Sequence, residues 1–215
     1  MRALACTSGN FVAHNFLGGI LADRGEVDKA IPHFEKALEI RPDYADAHIN
    51  LGLALFKRGQ SDEAMAHFRQ AMAISPGCAD AYGNLALVMA ERGKVDEATA
   101  LCRQALAIEP DNAKNHCNLG LFLVKQGRTD EAIAHWRRAI EINPRLAEAY
   151  SNIGSALALR GRIDEAIEQY ELALTVNPNY VDGHRNLAVL LQQKGRAGEA
   201  ASHRRTAEEL SGSTR

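Results

Sequence analysis

Apolar and small residues recur along this chain in a pattern that repeats every 34 positions. In the first half of a period they are spaced i, i+1 and i+4, as in Leu51, Gly52 and Leu55, and this spacing marks one face of an α-helix. In the second half, alanines seven residues apart, such as Ala64 and Ala71, mark another helical face. Each period therefore predicts two amphipathic helices, and no strand is evident.

Turn-forming residues separate these helices with the same period. Glycine ends each first helix, and aspartate lies near the start of most second helices. Proline ends the second helix, at Pro42, Pro76, Pro110, Pro144 and Pro178. We expect an all-α protein, an α-solenoid in the form of a right-handed superhelix with about six helix-turn-helix repeats. Their bounds are 11–44, 45–78, 79–112, 113–146, 147–180 and 181–214.

Residues 1–10 continue the register of the repeats, so we expect the end of a preceding helix or a cap there. Since the chain then starts inside a repeat, this register also favours a segment of a longer array over a complete one. The last repeat departs from the pattern, because Arg204 and Gly212 occupy its aromatic and proline positions. A polar second helix at this end is typical of a terminal repeat that faces water.

Two alanines and an aromatic residue recur in the second helices, and together with the prolines they carry a resemblance. The aromatic residues are Phe34, Phe68, Trp136 and Tyr170. The pattern resembles the tetratricopeptide repeat (TPR) over nearly the whole chain. The resemblance implies stacked helix pairs and a role in binding other proteins rather than in catalysis.

Composition narrows the class of partner and the compartment. The formal net charge is −2 and the isoelectric point about 6.4, which argues against nucleic acid as a partner. The four cysteines form no CxxC pair, so we expect reduced thiols and a cytoplasmic location. No run of 18 apolar residues is present, so we expect no membrane span.

Candidate chemistry is sparse. The eight histidines occupy only the fourth and twenty-third positions of the repeats, and we interpret them as a repeated packing or surface feature. Equivalent atoms of stacked helices lie about 8–10 Å apart, which is too far for shared metal ligands. No phosphate-binding loop, nucleophile elbow or zinc motif occurs. We therefore predict no metal, no cofactor and no catalytic residues.

Asparagine fills the sixth position of every repeat except the first, which has Phe16. At 100° per residue this position points away from the apolar face of the first helix, so we expect an open row along the inner wall. An amide can pair with both N–H and C=O of an extended peptide, whatever its side chains. The alternative is that these amides bridge neighbouring helices. The predicted peptide-binding residues are Asn50, Asn84, Asn118, Asn152 and Asn186, with Leu53, Leu87 and Leu121 beside them.

The sequence from Ala47 to Gly52, AHINLG, is similar to the repeats of O-linked N-acetylglucosamine transferases. That resemblance implies an asparagine ladder holding polypeptide by its backbone, and it covers only the asparagines. We predict a non-catalytic scaffold that binds an extended, somewhat positively charged peptide. Two alternatives remain open: a substrate-recruiting segment of a larger enzyme such as a glycosyltransferase, and a module that self-associates.

Overall fold

The computed structural model describes residues 10–212, and these form helices joined by short turns. The helices follow the 34-residue period: each repeat from 11 onward contains a first helix of 13 residues and, in the first five repeats, a second helix of 14. The predicted helix or cap in residues 1–10 lies outside the described residues except for Asn10. The Asn10 side chain caps the first helix by accepting a hydrogen bond from the Ala13 amide at 3.1 Å.

The chain divides into two compact units of three repeats each, residues 1–110 and 111–215. The first unit contains α1 Phe11–Asp23, α2 Val27–Ile40, α3 Ala45–Lys57, α4 Ser61–Ile74, α5 Ala79–Glu91 and α6 Val95–Ile108. The second contains α7 Ala113–Lys125, α8 Thr129–Ile142, α9 Ala147–Leu159, α10 Ile163–Val176, α11 Val181–Gln193 and α12 Ala197–Gly212. The fold is an all-α solenoid of helical repeats. None of the helices in the described part of the chain is long and apolar enough to cross a bilayer.

Each first helix ends in the same glycine turn. At Gly25 the backbone has φ +79°, a left-handed conformation that glycine adopts without strain. The Gly25 amide donates to the Ala22 carbonyl at 3.1 Å, and the Glu26 amide donates to the Leu21 carbonyl at 2.9 Å. These two bonds form a Schellman motif, which satisfies free carbonyls at the helix end. The equivalent glycines share the positive φ: Gly59, Gly93, Gly127, Gly161 and Gly195.

The second helices end where the sequence analysis predicts, with one instructive exception. In the first five repeats the helix ends two residues before the repeat proline, as at Ile40, which is followed by the C-cap Arg41 and then Pro42. The last second helix, α12, extends to Gly212 because that position has no proline to stop it. Most residues of α12 are exposed.

The core of each repeat lies between its two helices. The two alanines that recur in each second helix, such as Ala64 and Ala71, are almost completely buried, which lets the backbones approach closely. The aromatic rings of Phe34, Phe68, Trp136 and Tyr170 are buried between them. The Trp136 indole also donates a hydrogen bond to the Cys117 carbonyl at 3.1 Å, so its polar atom is satisfied inside the core.

The aspartates near the start of the second helices connect neighbouring repeats. The N-cap residues of these helices, from Glu26 to Arg162, make no side-chain capping bond. The aspartates instead form ion pairs with a basic residue that ends the first helix of the next repeat. In this way they link neighbouring repeats within a unit: Asp28–Arg58, Asp62–Arg92, Asp130–Arg160 and Asp164–Lys194.

Candidate functional site

The predicted asparagines occupy equivalent places on α3, α5, α7, α9 and α11, but their exposure differs. Asn84 is only 4% exposed and Asn118 only 8%, whereas Asn50, Asn152 and Asn186 are half-buried. The expectation of a uniformly open row is therefore wrong for two of its five members. Neighbouring first helices contact each other in the first unit, α1 with α3 and α3 with α5, so a side chain that faces away from its own repeat can still be covered.

These amides also differ in their partners. The Asn50 Nδ2 donates to the Asn15 Oδ1 at 3.0 Å and bridges α3 to α1, as the alternative interpretation of the row expected. The Asn118 Nδ2 is buried and has no hydrogen-bond partner among the described residues. A buried amide donor without a partner in the folded chain lowers the stability of the fold. Asn186 lies beside the Tyr170 hydroxyl, which also contacts the Ser155 hydroxyl at 2.8 Å.

Large apolar side chains are exposed beside the asparagines. We use the name first-helix face for positions two, six, nine and thirteen of the first helices. In the second unit Leu121 is 40%, Val189 61% and Leu159 82% exposed on this face. In the first unit Leu53 and Leu87 are half-buried, and the exposed apolar residues of this face are Val12 and Phe16. The only other exposed large apolar residue in the described part of the chain is Leu172, on a second helix.

A shallow cavity of about 210 Å³ opens on the first-helix face of the first unit. Its position is explained by Gly19, which occupies the ninth position where four other repeats have leucine or valine. A Cβ atom at Gly19 would meet nothing within 4 Å. The lining consists of the two hydrogen-bonded asparagines and four further residues: Asn15, Asn50, Phe16, Gly19, Ile20 and Asp23.

Carboxylates flank the first-helix face at the start of the helices. Four of the six residues at the second position are acidic and exposed, with Val12 and Lys114 as the exceptions. Because these side chains lie on the same helical face as the asparagines, they favour a ligand that carries positive charge. The four are Asp46, Asp80, Glu148 and Asp182.

Sequence reasoning missed the most regular polar feature of the structure. The histidines at positions four and twenty-three of the same repeat meet, so all eight form pairs. The Nδ1–Nδ1 distances are 3.2 Å for His14–His33, 2.9 Å for His48–His67, 2.9 Å for His116–His135 and 2.8 Å for His184–His203. Equivalent positions of different repeats lie too far apart for such contacts, but the two helices of one repeat bring positions four and twenty-three together.

A signal for this pairing was present in the sequence. Repeats with histidine at the fourth position also have it at the twenty-third, whereas Tyr82 is matched with Leu101 and Tyr150 with Gln169. The prediction of no metal site is not tested by a structure without ligands. In residues 10–212, no three histidine, cysteine or acidic side chains are grouped so that they could hold a metal ion.

One thiol lies next to the asparagine row. Cys117 precedes Asn118 on α7 and is buried. Burial, with a smaller contribution from the negative charge of Glu148, raises the pKa of the Cys117 thiol to about 12. The group is therefore a neutral, poorly nucleophilic part of the packing at neutral pH.

Comparison with solved structures shows the same architecture in proteins of different sequence. The chain superposes with a TM-score of 0.89 on a chain of the APC/C hetero-tetramer Cut9–Hcn1, at 19% identity, over 98% of this chain and 42% of that one. A thermophilic TPR protein of Thermus thermophilus matches with a TM-score of 0.76 and 25% identity, over 85% of this chain and 99% of that one. YrrB, a TPR protein with an unusual peptide-binding site, matches with a TM-score of 0.58 and 26% identity, over 82% of this chain and 91% of that one.

Sequence comparison with curated proteins finds no significant match. A family model, by contrast, matches residues 1–214, nearly the entire chain. The model describes the C-terminal TPR domain of the cilia and flagella-associated protein 70. Helical repeats of 34 residues, their glycine and proline turns and this match agree, and the chain belongs to the TPR family of the cilia and flagella-associated protein 70 C-terminal domain.

Proposed function

We propose that this TPR protein is a non-catalytic scaffold that binds an extended peptide segment of a partner protein on its first-helix face. The observation that carries the proposal is the distribution of exposed apolar residues. Five of the six large apolar side chains exposed in residues 10–212 lie on this face: Val12, Phe16, Leu121, Leu159 and Val189. Exposed apolar side chains that share one helical face are typical of a protein-binding surface, and three of the five belong to the second unit: Leu121, Leu159 and Val189.

The second unit offers the better-defined part of this surface. Leu121 and Val189 occupy the ninth position, and Leu159 occupies the thirteenth, so they lie on the helical face that carries Asn118, Asn152 and Asn186. Apolar contacts with the side chains of a peptide and amide contacts with its backbone would then be made together. The resemblance to the asparagine ladder of the glycosyltransferase repeats suggests this division of roles.

The acidic residues at the second position of the repeats lead us to expect a ligand with positive charge. Glu148 and Asp182 flank the second unit's part of the face, and Asp182 is already within 3.3 Å of Arg185. We therefore expect a peptide with some basic residues among apolar ones, bound more weakly as ionic strength rises. YrrB, which shares the fold, is itself described as a TPR protein with an unusual peptide-binding site.

A selection experiment tests the proposal. Peptides are selected from a random library on the wild-type protein, and their affinities are measured by fluorescence anisotropy. The variant Leu121→Ser/Leu159→Ser/Val189→Ser should bind them at least about tenfold more weakly, because each buried apolar side chain contributes about 1.5–3 kcal/mol. Leu172→Ser is the matched control, since Leu172 is 44% exposed but lies on a second helix.

The result is decisive in both directions. Loss of affinity in the triple variant, with unchanged affinity in Leu172→Ser, supports the first-helix face as the binding surface. Equal binding by the triple variant would place the ligand elsewhere and remove the proposed function. Circular dichroism of each variant confirms that the helical content is unchanged before affinities are compared.

A further inference from the structure

The histidine pairs connect the two helices of the repeats in which they occur, through one short contact between ring nitrogens. Each contact joins the fourth residue of a first helix to the twenty-third position, on the second helix. The ring centroids lie 5.2 Å apart in the His48–His67 pair and 5.1 Å apart in the His184–His203 pair. The rings of both pairs are partly buried between the helices.

Neighbouring carbonyl groups determine which ring nitrogens carry hydrogen in these two pairs. The His48 Nε2 lies 3.0 Å from the Pro42 carbonyl oxygen, and the His184 Nε2 lies 2.9 Å from the Pro178 carbonyl oxygen. A carbonyl oxygen only accepts, so each of these Nε2 atoms carries hydrogen. In a neutral ring the Nδ1 atom is then a lone-pair acceptor. The donor across each contact is consequently the Nδ1–H of His67 or His203.

This arrangement limits how many protons a folded pair can bind. The first added proton can occupy the Nε2 atom of His67, and the hydrogen bond to His48 is kept. The contact has no room for a further proton, because hydrogen on both Nδ1 atoms would place two N–H groups and two positive charges within about 3 Å of each other. In the unfolded chain both rings protonate independently, with a pKa near 6.5.

Few other charges compensate for this repulsion. Burial lowers the pKa of His67, and the positive charge of His48 lowers it further. For His203 the causes are burial and then His184, while the charges of Glu199 and Glu171 oppose them and Arg196 adds to them. Glu199 and Arg196 belong to α12 itself and to the turn before it, and Glu171 belongs to the neighbouring α10.

We propose that the His48–His67 and His184–His203 pairs are acid-sensitive clasps, which hold the two helices of the second and sixth repeats together at neutral pH and open below about pH 6. Function would follow the packing: a ligand on the first helices of these repeats is released when the clasps open. The acid-sensitive contact depends on the fold alone, whereas the release of a ligand rests on the proposed function.

The sign of the pH effect follows from proton linkage. Because the folded pairs bind fewer protons than the unfolded chain, the stabilisation is complete above the unfolded pKa of about 6.5 and is lost as pH falls. Each pair binds at least one proton fewer when folded. The unfolding equilibrium constant should therefore rise about tenfold per pH unit and per pair below about pH 6.

The chain itself supplies matched replacements for the experiment. His48→Tyr/His67→Leu installs the residues of the third repeat, and His184→Tyr/His203→Gln installs those of the fifth. Urea unfolding of the full chain, followed by circular dichroism from pH 7.5 to 5.0, gives the unfolding constant at each pH. Between pH 7.5 and pH 5.0, we expect the unfolding constant of the wild type to rise at least about tenfold more than that of either variant.

Equal pH dependence in the wild type and in both variants would overturn the proposal. A second measurement does not need the variants to fold. The ¹⁵N chemical shifts of the wild-type imidazoles report the protonation of each ring nitrogen, and at pH 7.5 they should show hydrogen on the Nε2 of His48 and the Nδ1 of His67. Full protonation of both rings at pH 5.0 without any loss of stability would contradict the clasp.

Discussion

A glycine at the eighth position of the repeat makes room for the aromatic ring of the second helix. A Cβ atom added to Gly52 would lie 2.6 Å from a carbon of the Phe68 ring, and one added to Gly18 would lie 2.6 Å from Phe34. The two repeats without a buried aromatic residue have alanine in place of this glycine, Ala86 opposite Cys102 and Ala188 opposite Arg204. At the scale of residues, glycine at the eighth position thus occurs with an aromatic residue at the twenty-fourth, and alanine occurs with a non-aromatic one.

Two adjacent glycines of α1 give a sharp test of this packing. Gly18→Ala should lower the free energy of unfolding by about 1–3 kcal/mol, because the added methyl group overpacks the core against Phe34. Gly19→Ala should raise it by about 0.5–1 kcal/mol, since nothing lies within 4 Å and alanine favours the helix. Urea denaturation measures both changes. Equal effects of the two substitutions would show that the Phe34 contact is not tight.

The thiols should differ in reactivity according to burial. In a Cys6→Ser background, Ellman's reagent at pH 8 should modify Cys78 quickly, because Cys78 is only half-buried. Cys117, whose pKa is about 12, has a thiolate fraction on the order of 10⁻⁴ at that pH and should react only on unfolding, as should the buried Cys102. Rapid labelling that persists in Cys6→Ser/Cys78→Ser would contradict this assignment.

At the scale of helices, α2 contains a proline that destabilises the helix. Pro32 lies inside the helix at an exposed position, where it cannot donate to the Asp28 carbonyl. Pro32→Ala should raise the free energy of unfolding by about 1–3 kcal/mol, because it restores that hydrogen bond. Ala66→Pro, at the equivalent position of α4, should have an effect of the opposite sign. Thermal and urea denaturation of both variants provide the measurement, and a neutral Pro32→Ala would contradict the expectation.

Helix positions followed directly from the sequence because the signals that set them are local. The glycine at the end of each first helix and the proline after each of the first five second helices act within one turn of the chain, and the structure confirms both. The role of the aspartates was not local. Asp62 pairs with Arg92, 30 residues later, because neighbouring repeats stack, and no feature of the helix start predicts that contact.

At the scale of the whole molecule, the candidate site could be predicted only in part. The sequence placed the asparagines on one helical face, yet the burial of Asn84 depends on side chains from other helices. Asn50 bonds to Asn15, which lies at the fifth position of the preceding repeat and not at the sixth. The sequence pattern of sixth positions does not predict this contact. The histidine pairs, by contrast, were predictable, since both of their positions vary together along the chain.

Asparagine amides on the first-helix face are proposed to bind the backbone of an extended peptide, so the most direct measurement alters that backbone. A peptide selected on the wild-type protein is compared with copies that are N-methylated at single amides, using the wild type and Asn152→Ala. One N-methyl group should weaken binding to the wild type about tenfold and should add little to the loss caused by Asn152→Ala. Equal weakening in both proteins, or no effect of any N-methyl group, would contradict backbone recognition by the asparagines.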